Sequence, residues 1–162
     1  MLGHYKILTI THRNTNLNKL GKYVIDDVTQ QKLDQLKEQF ELDELLYLAT
    51  CNRVLYFFTT PQVYSTDFLT AFFQHINPQL ANGSLSSLPQ IVEYYDGAEA
   101  LQHLFEVAAS IDSLVVGERE ILRQLRDAYD QCQKWSLTGD NIRLAMKVAV
   151  ETAKGVYSKT SH

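Results

Sequence analysis

Residues Leu46–Phe58 read LYLATCNRVLYFF, two apolar runs rich in Leu, Tyr, Val and Phe separated by Thr-Cys-Asn-Arg. Runs of that composition favour extended backbone, and so short a polar link makes an antiparallel hairpin the natural pairing. The spacing predicts strands over Leu45 to Ala49 and Val54 to Thr60. A thiol flanked by a hydroxyl, an amide and a guanidinium then lies at or beside the turn. Such a group is poorly suited to core packing and well suited to chemistry, because nearby positive charge favours the thiolate, the reactive form of cysteine.

Outward from the hairpin, Lys6 to Thr11 reads as a strand, and Val28 to Phe40 carries Leu33, Leu36 and Phe40 at helical spacing. A second helix is expected over Thr66 to Ile76, ending at Asn77-Pro78. The stretch PQLANGSLSSLPQ, Pro78 to Gln90, reads as a polar loop, and Ile91 to Tyr95 supplies a fourth strand. The order β-α-β-β-α-β is that of ferredoxin-like α+β folds, where two helices cover one face of an antiparallel sheet. From Asp96 onward no strand pattern occurs. Three helices are expected, over Ala98 to Asp112, Glu118 to Trp135 and Asp140 to about Tyr157, the last with Ile142, Ala145, Met146, Ala149, Ala153 and Val156 as its apolar stripe. The expected organisation is a ferredoxin-like core at 1–97 followed by a C-terminal helical extension at 98–162.

Composition bounds the function. The chain has 162 residues, 45% of them hydrophobic, which suffices for one domain with a proper core. A net charge of -4 argues against gripping nucleic acid by bulk electrostatics, although a local basic face is compatible with it. Cys51 and Cys132 lie in different contexts with no CxxC spacing, so neither a disulfide framework nor a metal site is indicated, and a reducing cytoplasm fits best. No stretch approaches the length of apolar sequence that spans a membrane, and the N-terminus does not read as an export signal.

Each candidate residue has a plain reading beside its chemical one. Cysteine among apolar strands is often inert packing, but a core would rarely tolerate Arg53 unpaired two residues from Cys51. Thr50 and Asn52 suit turns as well as substrate contacts. Cys132 falls on the seam Ile121, Leu125, Ala128, Cys132 and reads as core. In ALQHLFEVAAS, Leu101, Leu104, Phe105 and Ala108 form the expected buried stripe and His103 points roughly away from it. It is either an exposed or structurally bonded histidine, or a proton-transfer or orienting group for a thiol. His12, closing the first strand, has the same two readings. Glu118 suits a helix start, where the helix dipole favours a carboxylate. Arg119, Arg123 and Arg126 share a helix face and form the best phosphate-facing patch the sequence offers.

Taken together, THRN, ATCNR and HLFEVAASIDSLVVGEREILRQLRDAY resemble the N-terminal catalytic domain of the glutamyl-tRNA reductase family. The specificity lies in the joint order and spacing of these blocks, since TCNR alone is a weak signal. The resemblance implies that Cys51 is a nucleophile, and that Thr50, Arg53, Ser113, Glu118 and Gln124 recognise the substrate glutamate. It also implies that His103 is the histidine the family keeps near the active site, as base or as positioning group. Where the family commonly has GEPQILGQ, this chain has GEREILRQ, with Arg119, Glu120 and Arg123 in place of Pro, Gln and Gly.

The implied substrate is glutamyl-tRNA(Glu), whose ester Cys51 would convert to a thioester. In the family's complete reaction NADPH reduces that thioester to glutamate-1-semialdehyde, the entry compound of tetrapyrrole synthesis. The family continues into an NADPH-binding domain and then a dimerising helical domain, so the resemblance further implies a fragment of a homodimeric, cytoplasmic enzyme without a metal. No GxGxxG occurs in the sequence. Ferredoxin-like sheets also serve as plain binding units, and a non-catalytic regulatory or RNA-binding module with an incidental thiol is the competing expectation.

Overall fold

The computed structural model describes residues 4–109 and 120–160, without the side chains of residues 17 and 156–160. Its strands are β1 (Tyr5–Thr11), β2 (Glu44–Ala49), β3 (Arg53–Thr59) and β4 (Glu93–Asp96). The helices are α1 (Leu17–Leu20), α2 (Thr29–Gln39), α3 (Thr66–Ile76), α4 (Asn82–Ser86), α5 (Leu88–Ile91), α6 (Ala98–Ala108), α7 (Ile121–Lys134) and α8 (Asp140–Thr160). The strands form one antiparallel sheet in the order β2-β3-β1-β4, the topology expected from the sequence.

Side chains alternate across a strand, so each face of the sheet takes every second residue. Leu8, Ile10, Val54, Tyr56 and Phe58 pack with Leu33 and Leu36 of α2 and with Leu69, Phe72 and Phe73 of α3. Tyr56 meets Phe72 and Phe73 edge-on at 5.2 and 5.8 Å, and its hydroxyl donates to the Tyr23 carbonyl at 2.8 Å. Its burial pushes the phenol well above its usual range. On the other face, Ile7, Leu46, Leu55 and Phe57 pack with residues of α6, α7 and α8, including Leu104, Leu125 and Ala149. Covered on both faces, β3 is buried throughout, which is why RVLYFFT is a near-continuous apolar run and not an alternating one.

A buried carboxylate joins the sheet to α8. Glu44, the first residue of β2, accepts through Oε1 from the amides of Gly139 at 2.6 Å and Ile142 at 3.0 Å. These belong to the first turn of α8, where amides lack intrahelical partners and the dipole favours negative charge. Gly139 has no side chain with which to cap its own helix. A Cβ there would also lie 3.0 Å from Glu44 Oε1.

Four segments depart from the sequence expectation. Pro78 to Gln90 is not a plain loop, because α4 and α5 form within it and Leu88 is fully buried. Single turns like these give no readable period and are held by the core they touch. β4 accordingly begins at Glu93, with Ile91 still in α5. A short helix, α1, capped by the Asn16 side chain on the Lys19 amide, follows β1. α6 ends at Ala108, and Asp112 lies outside the described residues.

Candidate active site

The β2–β3 turn comprises Thr50, Cys51 and Asn52. Thr50 Oγ1 accepts from the amides of Asn52 and Arg53 at 3.1 and 3.2 Å, and its own amide donates to the Arg53 carbonyl at 2.9 Å. The threonine thus shapes the turn while its hydroxyl proton is what it can offer outward. The Asn52 carbonyl accepts from the His12 amide at 3.0 Å, tying the turn to the end of β1. There Asn14 Oδ1 accepts from both the amide and the hydroxyl of Thr11, each at 3.0 Å. The outcome is an exposed Cys51 on a hydrogen-bonded corner.

Arg53 goes the other way. It pairs with Thr11 in the sheet register, points to the face covered by α6–α8, and is 2% exposed. Its guanidinium is engaged within the protein and is not a free cation. Five N–H donors on one planar group allow it to hold an internal partner and a carboxylate together.

His103 corrects the sequence expectation. It does not point away from the buried stripe of α6; it is 3% exposed, alongside Ala100, Leu104 and Val107. Its ring stacks on Tyr95 of β4 with centroids 4.0 Å apart and planes at 13°. Tyr95 in turn donates to Glu93 Oε1 at 2.6 Å. The helix stripe looked complete without His103 because the flat partner, a tyrosine on β4, is visible only once the sheet is assembled. Tyr95 lies opposite Ile7 and Arg53 opposite Thr11, so both project to the same face of β1. α6 begins where the Gly97 amide donates to the Tyr5 carbonyl and runs back over the sheet. At about 1.5 Å per helical residue against about 3.3 Å per strand residue, His103 comes level with the middle of β1, beside Tyr95, which lies opposite Ile7.

Gln124 is half-buried on α7, the helix that packs along β2. Ser113 and Glu118 lie outside the described residues. The structure therefore brings Cys51, Thr50 and Arg53 to one corner, with His103 on the face Arg53 enters. The half-buried His12, whose Nδ1 is buried without a hydrogen-bond partner, sits directly beside the turn. Sequence reading gave His12 no precedence; its signal was the position just after β1, opposite the hairpin turn.

Of the arginine row, the described members Arg123 and Arg126 have different surroundings. Arg119 lies outside the described residues, and Arg123 is ion-paired with Glu120 and with Asp127, the latter at 3.2 Å. Arg126 lines a separate groove between α7 and α8, where Arg143, Lys147 and Lys154 are interspersed with Asp130 and Glu151. Cys132 is core as expected, and burial pushes its thiol above the usual value. Among the described residues no group of three His, Cys, Asp or Glu is placed to hold a metal ion, and no helix is long and apolar enough to cross a membrane.

The chain is similar to known proteins over nearly its whole length. A glutamyl-tRNA reductase of Campylobacter lari is 31% identical over 162 residues, covering 97% of this chain and 36% of the relative. One from Sulfolobus acidocaldarius is 28% identical over 159 residues, covering 98% of this chain and 35% of the relative. The chain thus spans little more than a third of the length of these relatives. In structure it superposes on the glutamyl-tRNA reductase of Methanopyrus kandleri with a TM-score of 0.76 and 24% identity, over 98% of this chain and 35% of that one, which shows the fold. The model of the family described as glutamyl-tRNAGlu reductase, N-terminal domain, matches residues 8–160, and the chain belongs to that family.

Proposed function

We propose that this chain carries out the acyl-transfer step of glutamyl-tRNA reduction. The observation that carries the reading is Cys51 exposed at the corner between β2 and β3, with Arg53, two residues on, turned inward onto the face that holds His103. The Cys51 thiolate attacks the carbonyl carbon of the ester that joins glutamate to the 3' end of tRNA(Glu). A C–S bond forms, the ester C–O bond breaks, and the departing ribose oxygen takes up a proton. A thiolate is a competent nucleophile for an activated ester.

Arg53 holds the side-chain carboxylate of the substrate through its planar fork. Thr50 and Gln124 supply hydrogen bonds to the same amino acid, and by resemblance Ser113 and Glu118 do so too, Glu118 toward its ammonium group. His103, its ring plane fixed against Tyr95, is the histidine of this site. Residues 98–162 complete the catalytic unit around the 1–97 sheet.

The described residues do not fit NADPH. A dinucleotide site needs a parallel strand, a Gly-rich turn and a helix start, and this sheet is antiparallel. The described residues therefore carry the reaction as far as the thioester, which water cleaves slowly to glutamate and free thiol. NADPH binding and pairing with a second copy are assigned to the length of the relatives beyond the match, and a reducing cytoplasm suits a thiol that must stay unoxidised.

Incubation with glutamyl-tRNA(Glu) followed by mass spectrometry tests the reading. A glutamyl adduct on Cys51, absent from Cys51→Ser, is expected, with tRNA deacylation that consumes no NADPH. Equal deacylation by Cys51→Ser would remove the covalent role and favour the non-catalytic module.

A further inference from the structure

α7 and α8 enclose between them a groove of about 430 Å³. Its floor is apolar, formed by Tyr129, Met146 and Val150. Its rims carry four cations, Arg126, Arg143, Lys147 and Lys154, against two carboxylates, Asp130 and Glu151, in a chain whose net charge is -4. Nearby arginines are neutralised, Arg123 by Glu120 and Asp127, and Arg143 by Asp140 at 3.3 Å. Arg126, Lys147 and Lys154 differ, because among the described residues none of the three has a hydrogen-bond or ion-pair partner.

The groove leads toward the Cys51 corner. The Leu45 amide donates to the Leu137 carbonyl at 2.9 Å, and Glu44 holds the first turn of α8, so the link between α7 and α8 lies at the start of β2. Gln124 and Ala49, two residues before Cys51, line one cavity between α7 and the outer edge of β2, which puts the start of α7 at the Cys51 end. Arg126, two residues past Gln124, is on the opposite flank of α7, about one helix diameter (10–12 Å) away. Lys154 is at that same end. From there to Arg143 the groove runs about 16 Å along α8, at about 1.5 Å per residue.

We propose that this groove binds backbone phosphates of the acyl donor's RNA, a few nucleotides inward from its acylated end, an inference that rests on the acyl-transfer reading. An RNA whose last ribose is at Cys51 must continue over the surface beyond the corner, and here it meets a line of cations that no carboxylate neutralises. Such cations release counterions from the phosphates they contact, which is the main source of affinity for a polyanion. Tyr129 adds a ring face against which an unpaired base can rest. An acidic helix would also suit cations above an apolar floor, but a row that starts beside the corner and leads away from it fits a strand whose end is held there. Asp130 and Glu151 repel phosphate, so the removal of either charge strengthens the grip.

The test measures binding of an unacylated tRNA(Glu) transcript to the 162-residue chain between about 50 and 200 mM salt. Replacing three cations together, Arg126→Gln, Lys147→Gln and Lys154→Gln, should flatten the slope of log affinity against log salt by about 2–3 and weaken binding about tenfold or more at low salt. Glu151→Gln should act in the opposite sense and tighten binding about twofold or more. All four positions are exposed, so far-UV circular dichroism should be unchanged. An unaltered slope in the triple variant, or weaker binding by Glu151→Gln, overturns the proposal. If the triple variant keeps its tRNA slope but loses binding to a Glu-rich amphipathic peptide, the groove belongs to a protein partner and the proposal falls. The Cys51 adduct from glutamyl-tRNA(Glu) separates the two readings. An adduct with an unaltered slope sinks the groove assignment alone, whereas a flattened slope without an adduct supports the groove and sinks acyl transfer.

Discussion

Cys51 and Cys132 make an internal comparison at the scale of single residues. Cys51 is exposed on a corner, while Cys132 is 2% exposed and burial holds its thiol in the neutral form to higher pH than usual. Alkylation requires both access and thiolate. Iodoacetamide titration between pH 7 and 9 should therefore modify one equivalent of thiol in the folded chain, mapping to Cys51. Cys132 should react only after denaturation, and bound glutamyl substrate should protect Cys51. Modification of both at equal rates would mean that the α7 seam opens readily.

This contrast was legible in the sequence, because Cys132 lies on a helical stripe and Cys51 in a polar link. The environment of His103 was not. Whether one more position of α6 counts as core depends on what lies opposite, and that is Tyr95 on β4.

Among elements, α8 depends on a residue almost a hundred positions away. Glu44 caps it through the Gly139 and Ile142 amides, within a buried contact that also takes the Thr59 hydroxyl at 3.4 Å. Glu44→Ala leaves those donors unsatisfied and should cost about 1–3 kcal/mol. Gly139→Ala forces a methyl against a carboxylate held by two hydrogen bonds, and should also lower the urea midpoint. A midpoint unchanged in both variants would remove the cap from the account. Elements with a long period or a strong composition, β2, β3, α3 and α8, were readable from the sequence. The one-turn helices α4 and α5 were not, since a single turn has no period and exists because Leu88 reaches the core.

For the whole molecule, one sheet carries two apolar layers, with β3 buried in both. Neither layer can lose its packing without uncovering a face of β3, so the two should unfold together. Urea denaturation followed by Trp135 fluorescence, which reports the end of α7 packed on the layer of α2 and α3, and by far-UV circular dichroism should give coincident transitions. Separate midpoints would mean that the two layers unfold independently. Phe72→Ala on one face, costing about 3–5 kcal/mol, should shift both probes equally.

The sequence by itself determined the hairpin, the order of strands and helices, and the identity of the exposed thiol. Those follow from local composition and period, which act within a few residues. Tertiary structure alone decided that Arg53 turns inward, that His103 is buried on Tyr95, that Glu44 caps α8, and that a cavity opens between β2 and α7. Each depends on a partner far along the chain, and a side chain's burial and bonding are set by whichever surface folding brings against it.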